Sequence, residues 1–253
     1  MLLLPIMMTG CADFNKLKNS VDELTNPLVM VGVYVGIEQP TDPNMNMDGT
    51  EFAATAFVTT VLADAAAVGD MADNPVGGAA ATLRSDTNGT VDLVEGEAGD
   101  YQATSDNGLT YTPGEAVKIS VEWDGEHTAD IDSPKPAEFS VPQEHEVGEG
   151  IVVDLSDQDY DSAFVVVYDL INQEITFDNR PTDIVAIYDW THGVGTVRVE
   201  IPGGAFGSES IYGLGVAGLK HSDSTDFTDT NTLLSTFASG KFTFNGVYTV
   251  PMQ

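Results

Sequence analysis

The chain has a single cysteine, Cys11, in 253 residues. No intramolecular disulfide can form, so the fold must stand on its apolar core or on bound ions. Basic residues are also scarce: 9 Lys and Arg stand against 40 Asp and Glu, and the formal net charge is −31. Nucleic acid is therefore excluded as a partner, because phosphate binding needs clustered Lys and Arg. Direct adhesion to anionic lipid headgroups is disfavoured on the same ground. Catalytic motifs are missing too. Gly207-Ser208-Glu209-Ser210 lacks the second glycine of a nucleophile elbow, and neither a phosphate loop nor a dinucleotide fingerprint occurs. Four histidines, His127, His145, His192 and His221, have no second His or Cys at zinc-ligand spacing.

Hydrophobic residues make up 42% of the chain, enough for a real core and too many for global disorder. Charge of one sign keeps such a protein soluble but makes it repel itself. Screening by salt or divalent cations relieves this, which suits an exterior or high-salt setting.

The N-terminal stretch Met1 to Cys11 is apolar, with Leu2, Leu3, Leu4, Ile6, Met7 and Met8 followed by the small residues Thr9 and Gly10. An apolar run ending in small residues is the pattern of a cleaved export signal. It is too short to span a bilayer, which takes about 20 apolar residues. Met8-Thr9-Gly10-Cys11 resembles the lipobox of bacterial lipoproteins. The resemblance implies cleavage before Cys11, a diacylglycerol on its thiol and an acylated amino group. It also implies a lipid-anchored place in the bacterial envelope, at the outer membrane or cell surface. No Lys or Arg precedes the apolar run, so a basic segment upstream of Met1 is expected.

After Cys11, Phe14, Leu17, Val21 and Leu24 are spaced as one helical stripe, a short tether ending at Asn26-Pro27. From Leu28 the period changes to two. Val31, Val33, Val35 and Ile37 alternate with small or polar residues, and Val117, Ile119, Val121 and Trp123 alternate with Lys118, Ser120 and Glu122. Further strands are expected at Glu51–Leu62, Ala79–Arg84, Thr90–Val94, Phe139–Val141, Ile151–Leu155, Ala163–Ile171, Ile184–Trp190, Val197–Ile201, Ile211–Leu219 and Phe242–Val250. Asn107-Gly108 signals a hairpin, and Leu233–Ala238 one helical turn. The Pro- and Glu-rich stretch 126–150 reads as a boundary.

Short strands every ten residues or so, split by Gly, Pro, Asn and Asp turns, predict an all-β fold. The expectation is two immunoglobulin- or fibronectin-like β-sandwich domains in tandem. Residues 1–10 form the signal segment, 11–27 the tether, 28–142 the first sandwich and 143–253 the second. A single up-and-down barrel is the competing arrangement.

Two constellations invite a ligand. Asp157, Asp159 and Asp161 repeat the alternate-carboxylate start of a calcium loop, since a turn can bring such carboxylates onto one ion. Ser162 replaces the loop glycine and Tyr168 the bidentate Glu, so only a looser calcium site between strands is open. Trp190 and His192, with Asp189, could line a sugar site through stacking of the indole. Trp190 could equally be a core or rim residue. The functional expectation is a lipid-anchored binding or structural protein without catalytic activity, presenting sandwich loops to an envelope protein or glycan. A glycan-directed hydrolase or carbohydrate-binding module using carboxylates and Trp190 is the alternative.

Overall fold

The computed structural model describes residues 28–40, 42, 44–45, 52–64, 75–97, 99–142, 144–180, 196–223, 226–228, 230 and 235–251. In chain order the strands are β1 (Leu28–Ile37), β2 (Ala56–Asp64), β3 (Ala80–Ser85), β4 (Gly89–Glu95), β5 (Asp100–Thr104), β6 (Ala116–Glu122), β7 (Glu126–Asp132) and β8 (Glu144–Glu146). They continue as β9 (Ile151–Asp154), β10 (Ser162–Asp169), β11 (Glu174–Asp178), β12 (Arg198–Ile201), β13 (Ile211–His221), β14 (Phe227–Thr228) and β15 (Thr236–Val250). Among the described residues the only helical pieces are the 3-10 turns Ser105–Asn107 and Gly203–Phe206. The protein is all-β and sandwich-like.

One strand path runs β11-β10-β13-β15-β1-β2-β5-β4-β3-β6-β7-β14. It folds over at β4, whose Val94 and Glu95 pair with β5 while Gly89 to Leu93 pair with β3. The strands from β3 to β14 thus form a second layer. β9 and β12 make a separate two-stranded ribbon. Side chains alternate across a strand, and the long layer uses both of its faces. Val165 and Val167 of β10 enter one apolar cluster with β9, β12, Phe206 and Val247, while Val166 enters another with Val35, Met45, Leu219 and Phe242. Tyr34 of β1 belongs to a third cluster, between β1-β2-β5 and the β3-β6-β7 layer.

The first core draws on residues 28–131 with Phe227 and Phe237, the second on 137–247. Both rest on one sheet. Last strand β15 lies parallel beside first strand β1, Val31 facing Thr236 and Ile37 facing Phe242. This pairing joins a strand of the expected first sandwich to a strand of the expected second. The segment after β7 is docked rather than open. Tyr111 and Tyr160 hydroxyls donate to the Pro134 and Lys135 carbonyls at 2.9 and 3.0 Å, Ala137 is buried, and β8 pairs with β15. Limited proteolysis should accordingly leave one resistant body. Two separately stable pieces, cut near Glu144 to Glu149, would contradict the shared sheet.

Three expectations are corrected. Asn107-Gly108 closes no hairpin. Gly108, with φ 85°, caps the Ser105–Asn107 turn, and β5 pairs with β2 and β4 instead of β6. Phe139–Val141 is not a strand, whereas Glu126–Asp132 is. Thr236 to Ala238, expected as part of a helical turn, are strand because β15 continues through them to reach β1.

Glycine normally weakens a strand, but here aromatic rings occupy the space a side chain would take. A Cβ on Gly36 would come within 2.5 Å of the Tyr111 ring, and one on Gly218 within 2.5 Å of Tyr160. Gly36→Ala should cost about 1–3 kcal/mol by overpacking. A urea midpoint unchanged from wild type would show that Tyr111 gives way freely.

Candidate functional site

A groove of about 770 Å³ opens between the β6–β7 layer and the turn that precedes β10. Its size falls in the range of roughly 300–1,000 Å³ typical of ligand pockets. One wall is carboxylate-rich. Asp130 and Asp132, two residues apart on β7, project from the same face. β14 pairs Phe227 with Ala129, and the Asp130 amide donates to the Asp226 carbonyl at 2.9 Å, which sets Asp226 opposite Asp130. Directly opposed like charges destabilise a strand pair. Partial burial, and then the neighbouring Asp223, Asp130 and Asp132, raise the Asp226 carboxyl above the ordinary aspartate value.

The sign of the linkage follows. A raised folded pKa means that ionised Asp226 opposes folding, fully so above that pKa and not at all below the unfolded value. Asp226→Asn should therefore stabilise the protein at pH 7 by about 0.5 kcal/mol. The gain should fade as pH falls into the ordinary aspartate range. Urea titrations at pH 7 and pH 3 that gave the same increment would rule out relief of charge as its origin.

The acidic turn forms the other wall, and it serves as a clamp. Lys220 Nζ lies 2.7 Å from Asp159 Oδ1 and 3.7 Å from Asp161 Oδ1, while the His221 amide donates to Asp161 Oδ2 at 2.9 Å. Gln158 Nε2 donates to the Glu138 carbonyl at 2.7 Å and its Oε1 accepts from the Glu138 amide at 2.9 Å, which ties down the segment between β7 and β8. Among the described residues no three His, Cys, Asp or Glu side chains gather at metal-binding geometry. Of the carboxylates expected to hold calcium, Asp157, Asp159 and Asp161, two converge on the Lys220 ammonium group. Calcium and magnesium at matched ionic strength should thus raise the melting temperature equally, in Asp159→Asn as in wild type. A calcium-specific increment lost in that variant would restore the ion site.

Ser162 Oγ and His221 Nε2 are 2.7 Å apart, within reach for a nucleophile and its base. Ser162, however, is fully buried and lies outside the groove lining. Asp161 meets the His221 main chain through its carboxylate. The pair satisfies a buried hydroxyl. Ser208 and Ser210, the near-miss of the nucleophile elbow, bond Tyr212, Thr249 and Asp169 instead.

Cys11, Trp190 and His192 lie outside the described residues. Sequence reasoning missed Asp130, Asp132 and Asp226, the first two of which lie in the stretch 126–150 read as a boundary. The one available signal was the Asp-Ile-Asp alternation at 130–132.

No family model and no curated protein matches this sequence. Among solved structures, it is similar to Tp47, the 47-kilodalton lipoprotein of Treponema pallidum, at 11% identity and a TM-score of 0.35. The alignment covers 87% of this chain and 51% of that one, so this chain spans about half the length of the lipoprotein.

Proposed function

We propose that this chain is a lipid-anchored binding protein of the bacterial envelope, tethered through Cys11, with a partner seated in the groove between the β6–β7 layer and the acidic turn. The observation that carries the reading is that groove. Residues from both halves of the chain build it, the Gln158–Glu138 clamp holds its shape, and its size suits a ligand. The lipobox-like Met8-Thr9-Gly10-Cys11 supports the anchor. Two or more acyl chains, at ~0.8 kcal/mol per buried methylene, give stable attachment.

Two measurements test the halves of this proposal. Cys11→Ser should move the protein from the membrane to the soluble fraction, and equal membrane retention of the variant would refute the anchor. For the groove, a photo-crosslinking residue at Ser222 or Lys135 should capture one defined envelope partner. The same residue at Ile171, which is 64% exposed at the far end of β10, should not. Equal capture from all three positions would remove the groove from the interaction.

A further inference from the structure

We infer that β14 is a strap whose hold on β7 is set by ionic strength and pH. Among the described residues two pairs join it to β7, Phe227 with Ala129 and Thr228 with Thr128. It ends the strand path, so β7 is its one neighbour in the sheet. The anchor is apolar: Phe227 is buried in the core cluster that holds Val117, Ala129 and Ile131. Charge opposes it. The Asp130 amide donates to the Asp226 carbonyl, which sets the two aspartates opposite each other, and Asp132 stands two residues along the same face. Asp223 closes the turn, its amide donating to Asp226 Oδ2 at 2.7 Å. Lys118 lies 3.5 Å from Asp130, but both side chains are about half exposed and such a pair is weak. Across the groove, Lys220 is engaged by Asp159 and Asp161, and the His221 amide donates to Asp161. Partial burial, and then Asp223, Asp130 and Asp132, hold the Asp226 carboxyl above the ordinary aspartate value despite the bond from the Asp223 amide.

Salt shortens the reach of this repulsion, from about 30 Å at ~0.01 M to about 3 Å at ~1 M, and leaves the apolar anchor in place. Protonation of Asp226 acts in the same direction, so the strap tightens as pH falls. The main chain supplies a reporter. Amides of successive strand residues point to opposite sides. That of Asp130 meets β14, so that of Ile131 meets β6. Asp226 also lines the groove, so a released strap removes part of one wall. That consequence, unlike the strap itself, rests on the groove being the partner site.

The test is amide hydrogen exchange, read by NMR on the full-length chain in neutral detergent. Protection of the Asp130 amide, corrected for intrinsic exchange, should rise several-fold between ~0.01 M and ~1 M sodium chloride at pH 7, while that of Ile131 changes little. At low salt it should rise again from pH 7 to about 4.5. Asp226→Asn should show the high-salt protection already at low salt. Asp226→Lys should reverse the trend and lose protection as salt rises, because an attraction to Asp130 and Asp132 is then being screened. Equal gains at Asp130 and Ile131 would reduce the effect to screening of a whole chain with net charge −31. A salt response unaltered in both variants would remove Asp226 from it. Either result overturns the strap. If Asp130 responds but capture through Ser222 does not follow the salt, the strap stands and its part in the groove falls. If Ser222 captures nothing at any salt, the partner site has failed, and the exchange result still decides the strap.

Discussion

Replacing Gly203 by alanine should cost about 3 kcal/mol or more, at the upper end of overpacking effects. The reason is backbone, not side chain. A Cβ at Gly203 would sit 1.9 Å from the Gly148 carbonyl oxygen and 2.6 Å from its carbon. A side chain can rotate away from such a clash, but a main chain held on both sides cannot. Here the Gly148 amide donates to the Phe206 carbonyl at 2.9 Å, the Val147 amide to the Val250 carbonyl at 3.0 Å, and Gly148 itself has φ 83°. Phe206 is fully buried, with its ring 5.1 Å from His145 and 5.3 Å from Tyr212. Separating residues 148–150 from the 203–206 turn would therefore loosen the second core. Gly204 supplies the control. A Cβ there meets nothing within 4 Å, so Gly204→Ala should change stability by less than ~0.5 kcal/mol. Thermal or urea unfolding of the two variants side by side decides the matter. Similar small losses in both would show that the 148–150 segment shifts at little cost.

The contrast between these neighbouring glycines bears on what a sequence makes legible. β1, β6, β10 and β13 were readable because their apolar residues repeat with a period of two or run unbroken. The strands that escaped are short or polar. β8 reads Glu-His-Glu, β11 is Glu-Ile-Thr-Phe-Asp, and β7 turns Glu126, Asp130 and Asp132 outward. Their stability comes from partners far along the chain, and no local period records that. The β1–β15 pairing joins the two ends of the described chain in parallel, a connection with no turn signal at all. The candidate site repeats the pattern. The Asp157–Asp161 cluster was visible as composition, but Lys220, 61 residues from Asp159, determines what that cluster does. Asp226 meets Asp130 only because a two-residue strand pairs with β7. The lipobox resemblance, by contrast, is local and contiguous, and needed no fold to be read.

Asp169→Ala should also cost about 3 kcal/mol at neutral pH, since it removes a buried carboxylate that accepts four hydrogen bonds and leaves the buried Ser210 hydroxyl without its acceptor. Asp169 ends β10 and is 1% exposed. Its Oδ1 accepts from the Ile171 amide at 2.9 Å, the Asn172 amide at 3.0 Å and Ser210 Oγ at 2.7 Å, and its Oδ2 accepts from Asn172 Nδ2 at 2.8 Å. Ser210 in turn donates its amide to Thr249 Oγ1 at 2.7 Å, so one carboxylate links the end of β10 to the entry of β13 and the end of β15. Burial pushes the Asp169 carboxyl up. The bonds from Asn172, Ser210 and Ile171 outweigh it, and the net shift is below the ordinary aspartate value. A depressed folded pKa gives stability that is present above the unfolded value, about 3.9, and is lost as pH falls through the folded pKa. The difference between wild type and Asp169→Ala should thus be largest at pH 5 to 7 and shrink below pH ~4. Ser210→Ala removes one donor with the charge intact, so it should cost only about 1 kcal/mol with a much weaker pH dependence. Urea unfolding from pH 7 down to pH 2.5 measures all three proteins. A difference for Asp169→Ala that stays constant across that range would mean that the ionised carboxylate is not what holds the three strands together.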